Sequence, residues 1–68
     1  TRLALASAEQ IQGFFEHLEI VLRDIDFLQQ PSDRLLRKIK RIFSRAPLQE
    51  QEVNILRGIL TAIEQKKR

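Results

Sequence analysis

There is no cysteine in the 68 residues, so neither disulfides nor a cysteine-built zinc site can hold the chain together. Glycine and proline occur only twice each, leaving few breaks between long segments. No stretch approaches the roughly 20 apolar residues of a membrane span, and the three-part pattern of a signal peptide is missing. Length itself is scarce, and a Rossmann domain, a kinase or a barrel cannot be built here. A domain of this size buries only about 60% of the surface its unfolded chain exposes, so it needs an efficient core or outside help. Helix packing, oligomerisation or a further domain are the forms of help left. The lack of cysteine fits a cytoplasmic protein, and a start at Thr1 fits a piece of a longer one.

What is present is helical periodicity. Ser7 with Gln10 forms a capping-box pattern, placing a helix start near Ala8. Ile11, Phe14, Phe15, Leu18, Val21, Leu22, Ile25 and Leu28 then fall within an arc of roughly 140° at 100° per residue. Pro31 is expected to end this helix, because the residue before a proline is pushed out of the α region. Ser32 or Asp33 can cap a second helix running to about Arg45, with Leu35, Leu36, Ile39, Ile42 and Phe43 as its apolar residues. A third is expected to start between Pro47 and Gln49 and continue towards Lys66-Lys67-Arg68, whose charge suits the negative end of the helix dipole. Its apolar residues Val53, Ile55, Leu56, Ile59, Leu60, Ala62 and Ile63 span roughly 180°, more than one neighbouring helix hides. The expectation is an all-α three-helix bundle over residues 7–68, with short connections and a linker over residues 1–6.

Charge is segregated along these helices. Residues 7–28 carry five carboxylates against Arg23, whereas residues 33–45 carry six cations against Asp33. Arg34, Arg37, Lys38, Arg41 and Arg45 lie within roughly 100° of the second helix, almost opposite its apolar stripe. Such a row can track a phosphate backbone, since each neutralised phosphate releases condensed counterions. The plain alternative is a solvated face laced to the acidic first helix. It is weakened by the lack of Glu four residues from each cation. A membrane-surface or calmodulin-like role is disfavoured because the apolar side is needed for the core.

Catalytic groupings are scarce. His17 is the sole histidine, and with Glu16 and Glu19 but no cysteine it makes a poor metal-ligand set, so a surface or half-buried position is expected. Ser7, Ser32 and Ser44 sit at predicted helix ends, where capping explains them. Gly13 and Gly58 both fall within helical patterns, which leaves no loop to cradle a nucleotide phosphate. A glycine inside a helix costs roughly 1 kcal/mol against alanine, so each suggests a close approach. Gly58 and Ala62 make a small notch beside the wide apolar arc. Gly13, Ile20 and Phe27 recur every seven residues opposite the first helix's core stripe, so Ile20 and Phe27 are expected to be exposed.

The run Glu52-Val53-Asn54-Ile55-Leu56-Arg57-Gly58-Ile59-Leu60, followed by Ala62-Ile63-Glu64, resembles the C-terminal segment of bacterial SPOUT-class tRNA ribose 2′-O-methyltransferases of the TrmJ type. Gly13-Phe14-Phe15-Glu16-His17-Leu18-Glu19 resembles the start of that region's first helix, and Lys40-Arg41-Ile42-Phe43-Ser44-Arg45-Ala46 its basic helix end. The resemblance implies an accessory domain. In that family an N-terminal knotted α/β domain binds S-adenosylmethionine, forms the dimer and methylates the ribose at position 32 of the anticodon loop, and a linker leads to a helical extension that helps hold the tRNA. The implied partners are therefore tRNA, the protein's own N-terminal catalytic domain and a second copy of the protein. No cofactor or catalytic residue is expected within this chain, and S-adenosylmethionine is expected in the catalytic domain.

Arg57 shares a polar stripe with Glu50, Asn54, Thr61 and Glu64. It can buttress the packing through ion pairs, the reading favoured by two carboxylates on its face, or reach RNA together with Asn54. Two other functions compete with tRNA binding. A protein-interaction or dimerisation module with an incidental basic face is suggested by the wide arc, Gly58 and the Ile20/Phe27 pair. Leu22-Arg23-Asp24-Ile25-Asp26 faintly resembles the first helix of helical chorismate mutases, but those enzymes turn their cations towards a shared pocket, and here the cations lie opposite the apolar stripe.

Overall fold

The computed structural model describes residues 4–28 and 33–67. Three helices make up the fold, α1 (Ala8–Asp24), α2 (Asp33–Ser44) and α3 (Glu50–Lys67), an all-α bundle as the periodicity predicts. α1 begins at the predicted cap: the Gln10 amide donates to Ser7 Oγ at 3.1 Å and the Ser7 amide to Gln10 Oε1 at 2.7 Å. α3 begins with half of such a box, the Gln49 amide donating to Glu52 Oε1 at 2.9 Å. Glutamine reaches its own helix amides less readily than Ser or Asp. Another segment supplies an acceptor instead. The Glu50 amide donates to the Ala4 carbonyl and the Ala6 amide to the Leu48 carbonyl, which pairs Leu5 with Gln49 in an isolated antiparallel bridge.

The end of α1 differs from the expectation. The helix stops at Asp24, well before Pro31, which lies outside the described residues together with Ser32. Asp26 adopts φ 65°, its amide donates to the Arg23 carbonyl, and the Phe27 amide reaches back to the Leu22 carbonyl at 2.9 Å. This is a Schellman closure, with Asp26 in the left-handed position usually taken by glycine. The reversal carries Ile25 out of the predicted core stripe to the surface, while Leu28 is buried from the turn and not from the helix.

The core gathers Phe14, Leu18 and Val21 of α1 with Val53 and Leu60 of α3. Phe14 and Val21 are fully buried, and each such side chain contributes roughly 1.5–3 kcal/mol. α2 closes over this pair through Ile39 and Phe43, both half-buried, with the Phe43 ring edge-on to Phe14 at 5.2 Å between centroids. Gly13 of α1 faces Arg57 of α3, and one turn further on His17 reaches Glu64. α1 and α3 therefore ascend together from the bridge.

This pairing corrects the placement of Gly13 on the side away from the packing. A Cβ there would stand 3.2 Å from Arg57 Nη1, so the glycine makes room for a guanidinium. Gly58 has open space around it, and no close approach among the described residues explains it. The 180° arc of α3 is covered on one side only: Val53 and Leu60 are buried, Leu56 and Ile63 half-buried, and Ile55 and Ile59 exposed.

Candidate nucleic-acid interface

α2 is amphipathic because its leucine, isoleucine and phenylalanine residues recur every three to four positions and cations occupy most of the rest. Packing of Leu36, Ile39 and Phe43 inward fixes the rotation of the helix, and Arg34, Arg37, Lys38, Arg41 and Arg45 are all exposed. Arg34, Lys38, Arg41 and Arg45 have no ion pair among the described residues, so acidic α1 does not neutralise them. Arg37 takes part in an interaction of its own within the chain. The sixth cation, Lys40, is set apart from the row, with its ammonium 5.7 Å from the centre of the half-buried Phe15 ring. That contact combines cation–π attraction with burial of the lysine stem.

The carboxylates of α1 are instead used locally. Arg23 donates through Nε and Nη2 to Glu19 one turn earlier, at 3.1 and 3.0 Å. Gln12 donates to Glu16 at 3.1 Å. A row of unneutralised cations on a rigid helix can hold several phosphates at once, fixing the position of a polyanion without reading its sequence.

The polar stripe of α3 is arranged differently from its sequence reading. His17 Nε2 lies 3.0 Å from Glu64 Oε1, in a part-buried contact between residues far apart in the chain. Since a carboxylate only accepts, the imidazole donates through Nε2. Nδ1 is buried without a partner among the described residues. Glu64 is thereby directed to His17, and Arg57, itself exposed, lies over Gly13 with no ion pair among the described residues. Asn54 is exposed on the same helix. Periodicity within one helix could not reveal the His17–Glu64 pair, which depends on how α1 and α3 are rotated against each other.

Two shallow depressions adjoin at Phe43 and Leu48. One, of about 270 Å³, lies between Leu5, Ala6, Ile11 and the α2–α3 connection, and the other, of about 280 Å³, is lined by Glu52, Ile55 and Leu56 of α3. Among the described residues no cluster of three or more His, Asp or Glu could hold a metal ion. No helix among them is long and apolar enough to cross a membrane.

Together these features define a small helical module with one cationic face and one open apolar side. The family model for "tRNA methyltransferase TrmJ, C-terminal domain" matches residues 9–68, and the chain belongs to that family. It is 45% identical over 58 residues to a tRNA (cytidine/uridine-2′-O-)-methyltransferase TrmJ of Sodalis glossinidius, covering 84% of this chain and 23% of that protein. The protein of the same name from Photorhabdus laumondii is 40% identical over 58 residues, 84% of this chain and 24% of its own length. An uncharacterized tRNA/rRNA methyltransferase of Haemophilus influenzae is 35% identical over 60 residues, 88% of this chain and 24% of its own. The chain thus spans about a quarter of the length of these relatives. No solved structure matches it.

S-adenosylmethionine, the methyl donor such a family implies, does not fit the described residues. Both glycines lie inside helices, and apart from Ser44 and Glu52 the side chains lining the two depressions are apolar. A nucleoside needs several polar partners in one pocket.

Proposed function

We propose that this chain is the tRNA-binding extension of an S-adenosylmethionine-dependent tRNA ribose 2′-O-methyltransferase, acting in the cytoplasm on position 32 of the anticodon loop. In this reading methyl transfer takes place in the protein's own N-terminal catalytic domain, which also forms the homodimer. The present chain contributes affinity and orientation for the tRNA and no chemistry.

The observation that carries the proposal is the α2 face, where four of five exposed cations have no acidic partner among the described residues. Arg34, Arg37, Lys38, Arg41 and Arg45 contact tRNA phosphates. Arg57 serves first as a packing element above Gly13, and with Asn54 it marks the flank of α3 from which a second RNA contact would come. The competing interaction-module reading draws on the exposure of Ile20, Ile55 and Ile59. It is compatible with tRNA binding, because those side chains lie on α1 and α3 and the cations on α2 and just past its end.

The test is charge reversal at Lys38 and Arg41 in the intact protein, leaving Arg37 and its intrachain interaction untouched. Both side chains are exposed, so helical circular dichroism is expected to stay unchanged. Each phosphate contact contributes roughly −0.7 to −0.9 to the slope of log affinity against log salt, so two lost contacts reduce the slope by about 1.5. Affinity for unrelated structured RNAs should fall in parallel, while binding of S-adenosylmethionine is retained. An unaltered tRNA affinity and salt slope would reduce the α2 face to a solvated surface.

A further inference from the structure

The open apolar side is unusual for so small a domain. Leu5, Ile55 and Ile59 are 60, 58 and 52% exposed, and the two depressions that adjoin at Phe43 and Leu48 bring Leu5 and Ile55 to opposite ends of one cleft. Ile59 extends the same flank of α3 by one turn beyond Ile55. Isolated exposed isoleucines are ordinary, but a contiguous apolar surface beside a cleft marks a contact site.

The backbone shows what can reach it. Ala4 to Ala6 are fastened to Leu48 to Glu50 by two hydrogen bonds, and Leu5 and Ala6 line the cleft themselves. The related methyltransferases are about four times as long as the matched part, and the family is defined as their C-terminal domain. In a protein of that plan the preceding polypeptide is joined a few residues before Ala4, and this tether gives it a high effective concentration at the cleft.

We infer that the cleft between Leu5, Phe43, Leu48 and Ile55, extended by Ile59, is the surface on which the preceding part of the intact protein docks through an apolar patch of its own. The inference rests on the proposed reading of this chain as the end of a longer methyltransferase. It adds the face that docks and lies apart from the row of α2 cations. Docking of this kind fixes the direction in which the cationic face points from the catalytic domain, which a purely flexible tether would not.

The experiment compares three variants of the intact protein by calorimetric unfolding and sedimentation: Ile55→Asp with Ile59→Asp, Leu5→Asp alone, and Ile20→Asp. Ile20 is 60% exposed on α1, so it introduces a carboxylate at equal exposure away from the cleft. The α3 pair and the Leu5 variant should each release a separate transition for this domain, lower by about 5 °C or more. Ile20→Asp should unfold as the wild type does. Helical circular dichroism should be the same in all, and Leu5→Asp, which lies outside the helices, guards against damage to α3. Wild-type unfolding in the α3-pair variant, or the same separation in Ile20→Asp, would overturn the inference. So would a change of subunit number confined to the cleft variants, since a second copy would then be the occupant. The tRNA salt slope of the Lys38/Arg41 reversal keeps the two readings apart: domain separation in the cleft variants with a reduced slope in the reversal supports both, and domain separation without any effect of the reversal leaves docking standing and removes RNA contact by α2.

Discussion

The two glycines look alike in sequence and differ in the fold. Gly58 has nothing within 4 Å of an added Cβ, so Gly58→Ala gains the helix propensity difference of roughly 1 kcal/mol with no opposing contact. At Gly13 the same gain is opposed by Arg57 Nη1 at 3.2 Å. The far end of an exposed arginine can move by a few tenths of an ångström, so Gly13→Ala should stabilise by less than Gly58→Ala without being strongly destabilising. Urea unfolding of the two variants checks the order. Gly13 was misplaced by periodicity because a wheel drawn for one helix does not say where the next helix lies, and the long arginine that fills the glycine's space is distant in sequence.

His17 shows the same limit. A surface or half-buried position was expected and the side chain is half-buried, but its partner is not Glu16 or Glu19, the carboxylates beside it in sequence. The contact with Glu64 ties α1 to α3. A double-mutant cycle of His17→Ala and Glu64→Ala should give a coupling of about 1 kcal/mol, as for one side-chain hydrogen bond. A coupling near zero would mean that the pair is held by the packing around it and contributes nothing itself.

At the scale of the elements, the start of α1 was more legible than its stop. A capping box is a local pattern, and Ser7 with Gln10 forms the expected bonds. The stop of α1 depends on Asp26 entering the left-handed region, where glycine is the usual signal and aspartate an infrequent one. The visible breaker, Pro31, drew the expected end of the helix several residues too far. A β-branched residue cannot take this conformation cheaply, so Asp26→Val should lose roughly 1–2 kcal/mol. Asp26→Gly should retain or raise stability, because glycine accepts φ 65° without a Cβ clash. Thermal unfolding of the pair distinguishes a constrained turn from a tolerant one, in which both would behave alike.

For the molecule as a whole, α2 is the element whose attachment depends on the fewest side chains. Its cationic face was legible because α2 shows the plainest separation of apolar and charged positions, and the same residues leave little for packing. Phe43 meets Phe14 edge-on and lines both depressions, so Phe43→Ala should cost about 2–4 kcal/mol. The loss of helicity should concentrate in residues 33–44, with α1 and α3 retaining theirs, and residue-resolved hydrogen exchange would show this. If all three helices lose protection equally, α2 is part of the core and not a flap upon it.

The bridge between Leu5 and Gln49 has a consequence for synthesis. Chain emerges from the ribosome in order, and Ala4 to Ala6 must wait until Leu48 to Glu50 have appeared before their hydrogen bonds can close. α1 and α2 can form from local contacts in the meantime, with Phe14 and Val21 still lacking their partners on α3. This fastening is therefore among the last contacts made. The helical pair stays open until α3 closes it.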